Sequence, residues 1–194
     1  MKPWQGRIPF IVLISALLFL SVPAFGLFHP LIAGGPFRGR VIDAETKQPL
    51  EGAVVLAVWE NKTPGVAGYG YSYLDSEEVL TDENGRFIVG RHPPTSLVPA
   101  WVYGPRIDIF YPGYGSYPIN HVSPPVPLGG EEELRERMAK EGLTIELPRL
   151  KTRAERLKVI RGALPLEVPR KKIPNLMRLI NIESKAIGIP PYKE

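Results

Sequence analysis

The fold of this chain is decided by the stretch FRGRVIDAETKQPLEGAVVLAVW, residues 37–59. Its beginning, residues 38–42, interleaves charged and apolar side chains at a period near two, which predicts a strand with one face in water. Its end, residues 53–59, is almost continuously apolar and rich in valine, which predicts a central strand covered on both faces. Between them, Asp43, Thr46 and Pro49 favour a turn.

A second turn signal, Asn84-Gly85, lies between two further apolar segments, residues 79–80 and 87–89. Both turn residues tolerate positive φ, so the pattern predicts a β-hairpin. Farther along the proline-rich part of the chain, short strands are expected at residues 97–103 and 106–111. The alternation of residues 143–147 predicts the closing strand.

Turn residues and apolar residues recur at set positions along this region. These positions are Gly39, Val41, Asp43, Thr46, Pro49, Leu50, Gly52, Ala53, Val55, Thr81, Asp82, Gly85, Phe87, Gly113 and Tyr114. The pattern resembles the carboxypeptidase regulatory-like domain family over residues 37–147. The resemblance implies a mainly β fold, a seven-stranded transthyretin-like (prealbumin-like) β-sandwich. The family is named after an accessory domain of peptidases, so the resemblance implies support or binding rather than peptidase activity.

The first 26 residues have the build of a secretory signal peptide. Lys2 and Arg7 precede an apolar run, and the small residues Ala24 and Gly26 predict cleavage after Gly26. The protein is therefore expected to be exported, to a periplasmic or extracellular location. The alternative is an uncleaved N-terminal membrane anchor, although the run at residues 8–22 is shorter than the roughly 20 residues of a spanning helix.

Cysteine is absent from the chain, which excludes disulfide-stapled folds and zinc sites built from thiolates. Charge is unevenly distributed: residues 37–143 carry 10 Lys and Arg against 15 Asp and Glu, whereas residues 144–194 carry 12 against 5. We expect the basic tail to fold against its own acidic domain, with an anionic membrane surface as the alternative partner. Nucleic acid is not an expected partner outside the cytoplasm.

Residues 148–194 are predicted to form a basic helical extension. Thr152 and Glu155 make a capping box at the start of one helix, and Pro174 favours the start of a second that ends near Gly188. A further helix is expected at residues 131–141, where acidic residues occupy the first turn.

Tyrosines are the candidate ligand-contacting residues. Tyr69, Tyr71 and Tyr73 are spaced by two in a glycine-rich segment, so in an extended chain they share one face. Together with the later aromatics Tyr111 and Tyr114 they predict an aromatic surface for a glycan or a peptide. The alternative is that these rings only cover faces and edges of the sheets, with their phenols in water.

Catalytic motifs are missing from the sequence. The histidines, His29, His92 and His121, have no metal-ligand spacing, and no serine lies in a G-x-S-x-G motif. We therefore predict no catalytic residue, no cofactor and no metal site. The sequence favours a non-catalytic exported β-sandwich module with a binding or structural role in the cell envelope, its partner an unidentified protein, peptide or glycan. Two alternatives stay open: a hydrolase or metal-dependent enzyme with a site on its loops, and a membrane-tethered envelope protein with an uncleaved leader.

Overall fold

The structure is a computed structural model that describes residues 35–66, 68–90, 101–118 and 130–192. The predicted leader at residues 1–26 lies outside these described residues, and so do His29, His92 and His121. The expected strand at residues 97–103 is described only from residue 101 onward.

Strands dominate the described residues, which confirms the prediction of a mainly β fold. The strands are β1 (Phe37–Asp43), β2 (Val54–Gly65), β3 (Gly68–Leu80), β4 (Arg86–Val89), β5 (Trp101–Phe110) and β6 (Leu143–Leu147). The helices are α1 (Gly130–Lys140), α2 (Arg153–Ala163) and α3 (Pro174–Ala186), with a short 3-10 helix at Arg170–Lys172. Within this described part of the chain there are six strands, not the predicted seven.

The strands form two sheets of three. The first has the order β4-β1-β6, in which β1 is antiparallel to β4 and parallel to β6. The second has the order β3-β2-β5, with β2 antiparallel to both neighbours. The predicted central strand is confirmed, because β2 lies in the middle of its sheet and its first six residues are all buried.

Alternate side chains of β2 point to opposite faces and enter two separate apolar clusters. Val55, Ala57 and Trp59 join a cluster that takes residues from both sheets, among them Val41 of β1 and Ile145 of β6. This first cluster is the core between the strands. Burial of each large aliphatic side chain in it contributes roughly 1.5 to 3 kcal/mol to the free energy of folding.

The other face of β2 is covered by the C-terminal extension. Val54, Leu56 and Val58 belong to a second cluster. Its remaining buried members are Phe110, Val159, Ile160, Val168, Ile173, Leu176, Met177, Leu179, Ile180 and Ile187. The expectation that the tail folds against its own domain is therefore confirmed.

Polar contacts also hold the tail to the second sheet. Glu78 of β3 accepts hydrogen bonds from the backbone amides of Asn175 and Leu176, at 2.9 and 2.6 Å, at the start of α3. Lys172 forms an ion pair with Asp75 of β3 at 2.9 Å. The acidic strand thus contacts the positive end of a helix and a basic side chain, as the uneven charge distribution suggested.

The predicted helices are confirmed, and their caps follow the sequence. Thr152 accepts from the Glu155 amide at 3.2 Å while the Glu155 carboxylate accepts from the Thr152 amide at 2.8 Å, which completes the capping box. Pro174 is the first residue of α3. No helix in the described ranges is long and apolar enough to span a membrane.

The hairpin predicted at Asn84-Gly85 is wrong. The chain does turn there, and Gly85 has a φ of 72°, but β3 pairs with β2 whereas β4 pairs with β1. The turn connects two sheets because the Gly85 carbonyl accepts from the amide of Val41 at 2.7 Å, which holds the turn on β1. The two short strands expected around residue 104 are one strand, β5, with an irregularity in its pairing to β2.

Candidate binding surfaces

The long β2–β3 hairpin carries the tyrosines of residues 69–73. Its ladder runs from Val54 opposite Leu80 to Gly65 opposite Gly68. Within the described residues, β5 pairs with β2 from Phe110 opposite Val54 to Trp101 opposite Lys62. Near the tip of the hairpin, residues 68–72 of β3 are exposed.

A group of three tyrosines and a lysine lies on this part of the hairpin and on the neighbouring strand β5. The Lys62 ammonium is 4.3 Å from the ring centroid of Tyr69, 5.8 Å from that of Tyr71 and 5.7 Å from that of Tyr103. The rings of Tyr71 and Tyr103 meet edge to face at 5.5 Å. Tyr69 and Tyr71 are 56% and 51% exposed, so these two rings combine apolar faces with access to solvent. We call these four residues the hairpin aromatic surface.

The other candidate tyrosines lie elsewhere. Tyr73 packs against the second apolar cluster, and its hydroxyl is 3.1 Å from the Ser76 hydroxyl. Tyr111 and Tyr114 contact each other, with ring centroids 5.5 Å apart, next to the first cluster. The structure thus brings together only two of the five predicted tyrosines on the hairpin aromatic surface.

Tyr114 is occupied by a buried carboxylate. Asp43 Oδ2 accepts from the Tyr114 hydroxyl at 2.8 Å and from Arg149 Nε at 2.7 Å. Its other oxygen accepts from the amides of Glu45 and Thr46 at 2.8 and 2.9 Å. Burial alone would raise the pKa of Asp43, but these hydrogen bonds outweigh it and hold the pKa well below its usual range. Burial and the bond to Asp43 raise the pKa of Tyr114 to about 12.

Asp43, Tyr114 and Arg149, which we call the Asp43 group, therefore have a structural role rather than a ligand-binding role. The group connects the turn after β1 to the loop around Tyr114 and to the segment after β6, which carries Arg149. Each carboxylate oxygen already accepts two hydrogen bonds, so the carboxylate has little capacity left for a ligand.

A cavity of about 270 Å³ lies between β5 and the helical tail. Its apolar lining includes Leu56, Phe110, Ala163, Pro165 and Leu176. Its charged lining comes from Arg106 and Asp108 of β5. We call this cavity the β5 pocket.

The two carboxylates that pair with Arg106 at the β5 pocket differ in their environments. Arg106 Nε is 3.0 Å from Asp108 Oδ2, and Arg106 Nη2 is 2.7 Å from Glu167 Oε1. Burial raises the pKa of Asp108, and the nearby carboxylates of Glu131 and Glu167 add to that rise against the opposing effect of Arg106. Burial by itself would raise the pKa of Glu167, but the hydrogen bond from Arg106, the positive charge of Arg106 and backbone hydrogen bonds together lower it. One guanidinium is therefore shared between two carboxylates, and Asp108 is the less stabilised of the two.

A much smaller cavity, of about 20 Å³, adjoins Arg106 and Tyr117 on the side of α1. Arg135 and Glu131 also line it, with 3.6 Å between Arg135 Nη1 and Glu131 Oε2. The Tyr117 hydroxyl and Arg135 Nε are buried and have no hydrogen-bond partner among the residues that the structure describes. Burial raises the pKa of Tyr117 to about 12.

Sequence reasoning missed the β5 pocket. The only local signal was the alternation of Arg106 and Asp108 with the buried residues Ile107 and Ile109, which places both charges on one face of the strand. Nothing in the local sequence shows that the tail covers that face. Among the described residues, no three His, Asp or Glu side chains converge in a way suited to a metal ion.

The family assignment is not decided by comparison with known proteins. The resemblance to the carboxypeptidase regulatory-like domain stays a prediction that depends on the residues of the chain. No protein-family model, no curated protein and no solved structure matches this chain.

Proposed function

We propose that this protein is a non-catalytic exported module with a transthyretin-like β-sandwich, which binds a glycan of the cell envelope. The sandwich is supported by the first apolar cluster, which takes buried residues from both three-stranded sheets. Export is supported by the charged and apolar pattern of residues 1–26.

Residues that carry the family resemblance have folding roles, which favours a module over an enzyme. Gly39 leaves space for the ring of Phe87, since a Cβ on Gly39 would lie 2.5 Å from a ring carbon. Asp43 and Tyr114 form the buried bond of the Asp43 group. Gly85 holds the turn against β1.

The observation that carries the binding role is the hairpin aromatic surface. Tyr69 and Tyr71 remain half exposed near the tip of the β2–β3 hairpin, although burial of an aromatic ring is favourable. Sugar rings present apolar C–H faces that pack on aromatic rings, and Lys62 supplies a donor for hydroxyl groups. Binding to rigid rings costs little conformational entropy, because a tyrosine has only two side-chain torsions.

The test is retention of the purified protein on insoluble envelope glycan prepared without protein. Two stacked rings contribute roughly 0.5 to 1.5 kcal/mol each, so we expect the double variant Tyr69→Ala/Tyr71→Ala to bind about tenfold more weakly. Ile88→Ala is the matched control, because Ile88 is equally exposed but lies on β4 of the other sheet. Equal retention of the wild type and the double variant would refute a role for this surface.

A peptide is the second candidate ligand, since β3 lies at the edge of its sheet among the described strands. An extended peptide can pair with such an edge through backbone hydrogen bonds. Peptide binding would show itself by chemical-shift changes of β3 backbone amides, and glycan binding by changes at the tyrosine rings.

Two further alternatives have their own tests. If the protein is a hydrolase with a site on its loops, it should turn over ester, amide or glycoside substrates, and replacement of His92 or His121 should abolish the turnover. If an uncleaved leader tethers the protein, mass spectrometry of the protein from envelope extract should find residues 1–26 still attached. The basic tail also keeps exposed cations such as Lys158 and Arg178, so binding to vesicles of anionic lipid is the test of the membrane-surface alternative.

A further inference from the structure

We propose that the β5 pocket is a binding site for a small amphiphilic cation, with an apolar body of ring size and one ammonium group. The site shares no residue with the hairpin aromatic surface, so the proposal does not depend on glycan binding. Three features carry it: the apolar lining, the excess of carboxylates and the pairing of Arg106 with both of them.

The apolar lining defines the body of the ligand. Leu56 and Phe110 from the second sheet, Ala163 from the end of α2 and Leu176 from α3 surround the cavity. Its volume of about 270 Å³ is near the lower end of the range of small-molecule sites, roughly 300 to 1,000 Å³. A cavity of this volume can hold a single ring with a short side chain, whereas a polymer is too large to enter it.

The charges define the head group. Asp108 lines the pocket, and Glu167 pairs with the guanidinium beside it. Arg106 is the cation in direct contact with both carboxylates. These three groups together carry one negative charge, which an ammonium beside Asp108 neutralises.

An anionic ligand is disfavoured by the same geometry. Arg106 directs Nε to Asp108 and Nη2 to Glu167, so two of its five N–H donors already serve carboxylates. A carboxylate or phosphate would add a third negative charge beside this single guanidinium.

The experiment is a titration of the full chain, isotopically labelled, by two-dimensional NMR at neutral pH and low salt. Three probes of similar shape differ in charge: phenethylamine, phenylacetate and benzyl alcohol. We expect phenethylamine to shift the amide resonances of Asp108, Ile109 and Leu176 and to bind about three- to fivefold more tightly than benzyl alcohol, as one partly exposed ion pair allows. Phenylacetate should bind more weakly than both.

Two variants connect the binding to the pocket. Asp108→Asn should reduce the affinity for phenethylamine to that for benzyl alcohol. Gly162→Leu should weaken all three probes, because Gly162 lines the pocket and a Cβ there meets no atom within 4 Å, which leaves room for a larger side chain. Gly162→Ala is the matched control, since it adds a methyl group without filling the cavity.

Several outcomes would overturn the proposal. If phenylacetate binds as tightly as phenethylamine, the site has no preference for a cation. If the amide resonances of the pocket residues do not shift, the ligand does not bind in the β5 pocket. If Asp108→Asn does not fold, the leucine and alanine variants at Gly162 carry the test by themselves. Unchanged phenethylamine affinity in folded Gly162→Leu places the ligand elsewhere and refutes the proposal.

Discussion

Replacing Glu78 with alanine tests how the helical tail is attached to the second sheet. Helix α3 starts at Pro174, and its cap residue Ile173 supplies no side-chain hydrogen bond. The next two amides, of Asn175 and Leu176, donate to the two oxygens of Glu78 at 2.9 and 2.6 Å. A residue of β3 therefore caps a helix that lies 97 residues later in the chain.

The magnitude follows from these bonds. Loss of a helix N-cap costs roughly 0.5 to 2 kcal/mol, and a carboxylate at the positive end of a helix contributes about 0.3 to 1 kcal/mol more. We expect Glu78→Ala to lower the free energy of unfolding by about 2 kcal/mol. Glu78→Gln keeps one acceptor oxygen and loses the charge, so it should cost about half as much.

Urea denaturation measures the global loss, and hydrogen exchange locates it. The amides of α3 should exchange faster in Glu78→Ala, whereas those of β1 and β6 should change only through the global stability. Glu51→Ala is the control, because Glu51 is exposed and lies in the turn before β2. A free energy of unfolding within about 0.5 kcal/mol of the wild type, with unchanged exchange in α3, would refute the capping role.

Two further predictions concern residues that stabilise the first sheet. Gly85→Ala should cost about 3 kcal/mol or more, because its Cβ would overlap backbone at a φ of 72°. Gly52→Ala, at a φ of 74° with open space around it, should cost only about 1 kcal/mol, and equal losses in thermal melts of the two variants would contradict the steric argument. Because the pKa of Asp43 is lowered in the folded state, its contribution to stability is complete above about pH 5 and declines as the pH falls below about 4. Asp43→Asn should therefore be less stable at pH 7 and lose less stability than the wild type between about pH 4 and 2; parallel pH profiles in urea would count against this role of the carboxylate.

Elements with local signals were predictable. The valine-rich run of β2, the capping box of Thr152 and Glu155, and the start of α3 at Pro174 all appear where the sequence placed them. Each depends on side-chain shape or on hydrogen bonds that close within about four residues. Such interactions form in much the same way whatever the rest of the chain does.

Pairing between elements was not predictable in the same way. Asn84-Gly85 indicates a reversal of the chain, and a reversal is compatible with a hairpin or with a crossing between sheets. The crossing is decided by the bond from Val41 to Gly85 and by the ring of Phe87 over Gly39, and β1 is far away in sequence. The turn residues indicate that the chain reverses, but they do not determine which strand the following segment pairs with.

The candidate site was predictable only in part. The spacing of Tyr69 and Tyr71 placed both rings on one face of β3, but the spacing said nothing of the tail that covers Tyr73 or of Asp43, which binds Tyr114. Lys62 was missed because its position opposite Tyr71 depends on the register of the hairpin.

By itself, the sequence determined the strands of residues 37–59, the helices of the tail and the opposite charges of the two halves, since periodicity, caps and composition act locally. Only the tertiary structure decided which strands share a sheet and which tyrosines stay in water. It alone formed the β5 pocket, where Arg106 meets a carboxylate 61 residues away. Contacts over such distances depend on how whole faces pack together, and no window of sequence contains both partners.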